Sequence, residues 1–406
     1  MSRAKEIAIV SLGEAGNLGD DLILLAAIQA ISDVCPGAEV SFLSFGEHLE
    51  WNSLARRLQL QITSKPLTPT RDWPGSRSHE RLFERSDLIV FGGGGLFQTS
   101  HNPDQPYHWL SYLPNIKNGP KVLAVGLGLG PISDVWKKRL RSLGSPFDAT
   151  YLRDPQSVNV ARDDLGWPAL RCIDFVDGPF LSQFLYPGET DPQTNILGVA
   201  LRAWPGLSAE IAANHVMDVA RRHEIEQVDC FVLESKGGQG VDVQFAESVR
   251  RRTSGLDMRI HVYTGENLEP FVHRMGRCEI AISMKLHACA IWAVQGVPMY
   301  PIIYAPKIAS FFGLPYAGLE IVGHVVPHAQ DETAVQRSAC IVKEIIPQLL
   351  SSSTAPVGRR LGQITRFKFQ CTELARMVRN RLRRLFAVGR GMCRSKGVGA
   401  PRKLGQ

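Results

Sequence analysis

The run EIAIVSL at residues 6–12 is followed by DDLILLAAIQAISDV at 20–34 and AEVSFLSF at 38–45, and this order decides the fold class. Short runs rich in β-branched residues alternate with a longer helical pattern, and glycine, proline or polar residues separate them. We expect Asp20 or Asp21 to cap the helix. The alternation is typical of a parallel sheet with helices on both faces.

The same alternation continues in two series, separated at 182–195 by a polar, turn-rich stretch that we interpret as an interdomain linker. The sequence therefore predicts an α/β protein with two doubly wound Rossmann-like domains, at 1–188 and 189–356, followed by a tail at 357–406. Two such domains facing each other across a cleft form a GT-B-like architecture. A last helix at about 332–350 is expected to cross back onto the first domain. Further strands are predicted at 87–91, 121–125, 149–152 and 170–175 in the first series, and at 196–201, 228–233, 259–263, 279–283 and 297–303 in the second.

The composition indicates a globular protein, because 44% of the 406 residues are apolar and 21% are charged. No apolar run approaches the roughly 18 residues of a membrane-spanning helix, and the apolar segment at 7–12 is too short for a secretion signal. The eight cysteines lack the spacing of zinc sites or disulfide frameworks. We therefore expect reduced thiols, no bound metal and a cytoplasmic location.

Positive charge is concentrated in the tail, which holds 14 Lys and Arg residues against the single acid Glu373. The tail thus carries +13, and the rest of the chain carries −6 of the net +7. Apolar residues recur every three or four positions from Cys371 to Leu385, which predicts a basic amphipathic helix. Such a helix would pack on the body or lie on an anionic membrane surface, and disorder is the third alternative. The lack of a recognisable nucleic-acid-binding module argues against nucleic acid as a partner.

Three glycine-rich loops follow predicted strands of the first series. Tight turns need glycine for positive φ, but glycine also lets a substrate approach the backbone closely. We expect ligand binding at the second loop above all, because open α/β sheets bind ligands at the carboxyl ends of their strands. Asp20, beside the first loop, is either a helix cap or a hydrogen-bond acceptor for a sugar hydroxyl. The loop residues are Gly16, Asn17 and Gly19 in the first, Gly92, Gly93, Gly94 and Gly95 in the second, and Gly128 in the third.

Basic side chains are predicted at the carboxyl ends of strands in the second series. Arg202 follows the first of these strands, Lys285 and His287 head a helix after the fourth, and Lys307 follows the fifth. Their charges would converge on one strongly anionic small ligand. The alternative interpretations are a surface ion pair for Arg202 and a core position for His287.

Seven motifs occur in the order GNLGD, GGGGLF, GLGLGP, YLRDPQS, ALRAW, SMKLHA and YAPKIASFF, and they span roughly residues 7–313. In this order the chain resembles the polysaccharide pyruvyl transferase family. The resemblance implies phosphoenolpyruvate as donor, bound by the second domain, and a glycan acceptor on the side of the first. It also places the family's Arg-Leu-His element on Lys285, Leu286 and His287, as donor-binding and catalytic residues with Arg202 and Lys307 beside them.

Two positions depart from the pattern that the resemblance implies. Lys285 stands where arginine is usual, which keeps the charge but loses the bidentate fork. Ala305 stands where aspartate is usual, so a carboxylate that would orient Lys307 or an acceptor hydroxyl is missing.

The implied reaction forms a pyruvate ketal on two hydroxyls of a glycan or lipid-linked oligosaccharide. His287 is the candidate general acid, since the unperturbed pKa of histidine is close to working pH, and Asp20 is the candidate acceptor-side base. Phosphoenolpyruvate is a co-substrate, and no cofactor is expected. We also expect the cations of the site not to be neutralised by carboxylates. A nucleotide-sugar glycosyltransferase and a catalytically inactive glycan-binding or assembly protein are the alternative functions.

Overall fold

The computed structural model describes residues 4–11, 13, 16–43, 66–67, 83–97, 120–172, 195–234, 240–325 and 341–351. These residues form two α/β units, each built on its own twisted sheet, and this confirms the predicted fold class. The predicted boundary at 188 and the basic tail lie outside the described residues.

The first sheet contains seven strands in the order β3-β2-β1-β4-β5-β6-β7, and each pair of neighbours is parallel. Ile7 at the centre pairs with Val40 on one side and with Leu88 on the other. Buried parallel strands read as apolar runs, as the predicted strands do. The strands are β1 Glu6–Val10, β2 Glu39–Leu43, β3 Pro66–Leu67, β4 Leu88–Gly92, β5 Lys121–Leu127, β6 Ala149–Leu152 and β7 Leu170–Arg171.

The second sheet contains six strands in the order β10-β9-β8-β11-β12-β13. All neighbours are parallel except β13, which pairs antiparallel to β12 at the edge. The sequence did not predict β13, because a two-residue strand has no detectable period. The strands are β8 Ile196–Ala200, β9 Gln227–Val232, β10 Asp257–Val262, β11 Ile280–Ser283, β12 Met299–Ile303 and β13 Glu320–Ile321.

Helices connect the strands and cover the sheets, and among the described residues none is both long and apolar enough to cross a bilayer. Two short π-helical segments, Val160–Asp164 and Ile341–Ile345, adjoin the third and the ninth helix. The helices are α1 Leu18–Val34, α2 Asp134–Leu143, α3 Pro155–Asn159, α4 Ala209–Arg222, α5 Val241–Arg250, α6 Leu268–Met275, α7 Leu286–Val294, α8 Pro306–Phe311 and α9 Ile346–Ser351.

The prediction that Asp20 or Asp21 caps the first helix is wrong. Asn17 is the cap, and its Oδ1 accepts a hydrogen bond of 3.0 Å from the Gly19 amide. Asn is as good a cap as Asp, and with Asn17 at the cap both aspartates lie in the first turn, where a negative charge favours the helix dipole. Asp20 is therefore available for a role other than capping.

Helix α1 is buried along almost its whole length, and every residue from Leu22 to Ile31 is buried. It is apolar on all faces, as expected of a helix enclosed by protein. One core cluster joins α1 to strands of the first sheet and to Trp292 of α7 in the second unit. Ile346 of α9 is buried in the same cluster, which confirms the prediction that the last helix reaches the first domain.

Two hydrogen bonds fix the amino-terminal end of α1 to the second unit. The Leu18 amide donates to the Leu233 carbonyl oxygen over 3.0 Å. The Tyr263 hydroxyl donates to Asp21 Oδ2 over 2.6 Å, and both residues are fully buried. A carboxylate this deeply buried depends on its donors, since the loss of a hydrogen bond to a charged group leaves its desolvation uncompensated.

We expect Tyr263→Phe to lower the free energy of unfolding by about 1–3 kcal/mol, because it removes a donor from buried Asp21. Tyr300→Phe is the matched control, since the Tyr300 hydroxyl bonds His223 at 3.0 Å within the second unit only. Denaturant unfolding measures both. An equal or smaller loss in Tyr263→Phe would contradict the special role of this bond.

Candidate active site

The carboxyl ends of both sheets carry the residues that the sequence singled out. Strands β8, β11 and β12 are neighbours in the second sheet, so Arg202, Lys285 and Lys307 leave the sheet along one edge. From the first sheet, the glycine loop at 92–95 follows β4. The amino terminus of α1 faces the second unit at this edge, so the site lies between the units.

His287 lies directly against Gly19 of α1. A Cβ atom at Gly19 would lie 1.7 Å from His287 Nδ1, so the imidazole occupies the space that any side chain would need. Gly19 lies within the helix, and close approach therefore explains this glycine. The Nε2 atom of His287 is buried and has no hydrogen-bond partner among the described residues. A buried imidazole nitrogen without a hydrogen-bond partner destabilises the folded protein unless a ligand supplies the partner.

The pKa of His287 is lowered to about 3. Burial is the main cause, and the positive charges of Arg153, Lys307 and Lys285 add to it. His287 is thus neutral at pH 7 while the site holds no anion. This differs from the expectation of a histidine that titrates near working pH, because sequence alone does not show the neighbouring cations.

The pKa of Lys307 is lowered to about 8, first by burial and then by the positive charges of Arg153 and Arg202, while Asp20 opposes the shift. Lys307 is exposed at the cleft, although many protein atoms surround its stem, so water screens part of this effect. The positive charges of Arg153, Arg202 and Lys285 thus add to burial in lowering the pKa of Lys307.

Lys285 corrects the expectation that carboxylates do not neutralise the site's cations. Its Nζ lies 2.6 Å from Asp242 Oδ2 and 3.5 Å from Glu234 Oε2, and the residue is buried. Asp242 Oδ1 also accepts a hydrogen bond of 3.1 Å from the Ala203 amide. Asp242 thus joins Lys285 to the loop that carries Arg202. The positive charge of Lys285 is offset by two acids, Asp242 and Glu234.

Arg202 lies among aromatic rings. Its guanidinium carbon is 5.7 Å from the centroid of the Trp204 ring and 6.0 Å from that of Tyr304. Burial alone lowers the pKa of Arg202, but Tyr304, Asp242 and Glu234 outweigh it, so the net shift is upward. The Nε atom is buried without a hydrogen-bond partner among the described residues. Arg202 is a permanent cation with an unused donor.

The glycine loops combine turn geometry with close approach. Gly16, Gly93 and Gly94 have positive φ, so a left-handed backbone explains part of the signal. A Cβ at Gly94 would also lie 3.6 Å from Asp20 Oδ1, which places this loop directly beside the carboxylate. Asp20 and the second loop therefore belong to one surface of the site.

Sequence reasoning missed Arg153, which follows β6 of the first sheet. A Cβ at Gly128 would lie 2.6 Å from its Nη2, so the guanidinium crosses the third glycine loop. Its charge acts on both His287 and Lys307. The rule that located Arg202, a cation at the carboxyl end of a parallel strand, would also have located Arg153.

Leu286 stands apart from these groups. It is partly buried and packs against the apolar core of the second unit. The structure thus gives Leu286 a packing contact where a donor-binding role was predicted.

Comparison with known proteins identifies the family. The model of the polysaccharide pyruvyl transferase family matches residues 17–306, which include His287, Lys285, Arg202 and Arg153 and most of both sheets. The chain belongs to this family. A comparison with curated protein sequences returned no significant match.

Solved structures share the fold at low sequence identity. A protein assigned as a UDP-N-acetylglucosamine 2-epimerase from Listeria monocytogenes has a TM-score of 0.53 and 10% identity, over 87% of this chain and 99% of its own. The UDP-N-acetylglucosamine 2-epimerase from Rickettsia bellii has a TM-score of 0.52 and 10% identity, over 86% of this chain and 97% of its own. A glycosyltransferase from Rickettsia africae has a TM-score of 0.49 and 10% identity, over 86% of this chain and 93% of its own. The two epimerases, both with TM-scores above 0.5, and the two α/β units together show that this family member has a GT-B-like fold.

The departure at Ala305 has a structural consequence, because Ala305 is the amino-terminal cap of α8 and no side chain caps this helix. Alanine is among the weakest cap residues, whereas aspartate is among the best. Ala305→Asp should raise the free energy of unfolding by about 0.5–2 kcal/mol through the new cap. Ala305→Asn is the control, since it caps without adding a charge beside Lys307. Thermal unfolding that shows no gain in either variant would contradict the capping argument.

Proposed function

We propose that this protein transfers the pyruvyl group of phosphoenolpyruvate onto two hydroxyls of a glycan, forming a cyclic ketal in polysaccharide biosynthesis. Family membership supports a polysaccharide pyruvyl transferase. The observation that carries the choice of donor is the cluster of Arg153, Arg202 and Lys307 around the neutral, unpaired His287.

Phosphoenolpyruvate suits this cluster because it carries about three negative charges on a small molecule and presents both a carboxylate and a phosphate. Arg202 has an unused buried Nε donor, and guanidinium groups bind such anions in a planar, directional way. Arg153 approaches from the first unit and Lys307 from the second. The donor would therefore contact both units, whereas the expectation placed it on the side of the second domain.

The proposed reaction is balanced without any cofactor. A proton is added to the methylene carbon C3 of the donor, which makes C2 electrophilic. One sugar hydroxyl adds to C2, the C2–O bond to phosphate breaks, and a second hydroxyl adds to C2 to close the ketal. Of the two hydroxyl protons released, one replaces the proton given to C3 and the other leaves on hydrogen phosphate.

His287 fits the role of general acid only after the donor arrives. In the empty site the imidazole is neutral, but an anion of about three charges beside Nε2 favours the protonated form. Donor binding would thus protonate His287 before the step that uses this proton. Without the donor, His287 stays neutral and does not carry this proton. Asp20 lies beside the second glycine loop and is the candidate base for the sugar hydroxyl.

The assay that tests the proposal incubates the protein with phosphoenolpyruvate and candidate glycans or lipid-linked oligosaccharides. We expect release of inorganic phosphate and a product heavier by one pyruvate ketal. His287→Gln should lower turnover by a factor of about 10² or more while the protein stays folded, since general acid catalysis is typically worth that much. Turnover of nucleotide sugars in place of phosphoenolpyruvate would favour the glycosyltransferase alternative, and glycan binding without turnover would favour the inactive one.

A second prediction concerns the proton. Because the donor raises a pKa that lies near 3 in the empty site, binding at pH 7 should take up a fraction of a proton, up to about one. Titration calorimetry in buffers of different ionisation enthalpy measures this uptake. His287→Gln should abolish most of it and Lys285→Arg should not. A binding enthalpy that is independent of the buffer would rule out protonation of His287 by the donor.

A further inference from the structure

A cavity of about 670 Å³ lies between the two units. Its walls come from α3 and the adjoining π-helical segment of the first unit and from α8 with the loop that follows it in the second. The polar lining includes Gln156, Asn159, Asp163, Ser310 and Tyr316.

This cavity adjoins the cationic cluster through the chain itself. Pro155 lines the cavity two residues after Arg153, and Pro306 lines it immediately before Lys307. Each wall of the cavity thus begins beside a residue of the cationic cluster, Arg153 in one wall and Lys307 in the other. A ligand in the cavity would lie beside a donor bound by those cations.

The lining of the cavity lacks the basic side chains that make up the cationic cluster. None of the residues that line the cavity is basic, and they include two acids, Asp163 and Asp164. Asp164 is paired with Lys137 at 2.9 Å, outside the lining. Amides, a hydroxyl and a carboxylate match the hydroxyls of a neutral sugar. The lining itself offers a nucleotide diphosphate two carboxylates and no basic side chain.

Tyr316 lines the cavity, and Trp204 packs against Tyr304, to which Tyr316 is hydrogen-bonded. Tyr316 is 45% exposed, yet its hydroxyl donates to the Tyr304 carbonyl oxygen over 3.0 Å, which fixes its ring. Trp204 is 37% exposed and packs edge-on against the Tyr304 ring at 4.5 Å between centroids. Exposed, fixed aromatic rings commonly mark ligand-binding grooves. Their electron-rich faces suit the C–H face of a sugar ring.

We propose that this cavity is the acceptor subsite, in which Gln156, Asn159 and Asp163 bond sugar hydroxyls and Tyr316 stacks on a sugar ring. The assignment rests on the proposed function, since it names where that reaction takes its glycan. It places residues of both units around the acceptor, because α8 and Tyr316 belong to the second unit, whereas the expectation placed the acceptor on the side of the first domain.

The test measures sugar binding without any donor. Saturation-transfer NMR is recorded with the methyl glycosides of glucose, galactose, mannose and N-acetylglucosamine, each with the wild-type protein and its variants. We expect at least one glycoside to bind, with the strongest transfer to ring C–H protons. Tyr316→Ala and Asn159→Ala should each weaken binding about tenfold, whereas Tyr316→Phe, which keeps the ring, should retain most of it.

Val135→Ala is the control variant, since Val135 is 76% exposed on α2 and does not line the cavity. Circular dichroism verifies the fold of each variant, and the milder Tyr316→Phe and Gln156→Ala keep the test decisive if Tyr316→Ala unfolds. Equal binding by wild type and by all cavity variants would overturn the assignment, as would failure of the wild type to bind any of the four glycosides.

Donor affinity separates the two proposals. If phosphoenolpyruvate binds and turns over but the cavity variants leave the acceptor KM unchanged, the acceptor assignment is wrong and the function stands. If the cavity variants lose glycoside binding while phosphoenolpyruvate does not bind the wild type, the subsite is right and the proposed donor is wrong.

Discussion

Helix α1 is the constraint on which the site depends, because it belongs to the first sheet by sequence and to both units by packing. It is enclosed on all sides, and its amino-terminal end is tied to the second unit by the Leu18 and Asp21 hydrogen bonds. This arrangement brings Gly19 against His287. Neither unit alone could hold the imidazole there, so this contact exists only while the units are docked on α1.

Lys285 makes direct ion pairs with acids, whereas every charged group that shifts the pKa of His287 is a cation. Lys285 lies buried between Asp242 and Glu234, as a buried cation must if it is to avoid a large desolvation cost. Burial lowers the pKa of both His287 and Lys307, and the positive charges around them add to this effect. Since His287 binds its proton less tightly when folded than when unfolded, its contribution to stability falls as pH drops from about 6.5 toward 3. The protein thus accepts a cost that an anionic ligand would remove.

Local patterns in the sequence predicted most of the fold. The predicted strand at 121–125 lies within β5, and the strand at 149–152 coincides with β6, because buried parallel strands are continuous apolar runs bounded by turns. The site was predictable only where position along a strand decides it, as at Arg202 and Lys307. The carboxylate partners of Lys285 are 43 and 51 residues away, and the His287–Gly19 contact crosses between the units. Pairings of this kind depend on docking, for which one sequence has no local signal.

The segment from Tyr304 to Tyr316 connects the two proposed subsites. Tyr304 lies against Arg202, Lys307 opens α8 beside the cationic cluster, and Tyr316 bonds back to the Tyr304 carbonyl. A sugar stacked on Tyr316 would therefore bear on the same short segment that positions donor-binding cations. No side chain caps α8 at Ala305, and the Tyr316 hydrogen bond joins the two ends of the segment. Coupling of this kind is reciprocal, so an acceptor that orders the segment would also improve the fit of the donor.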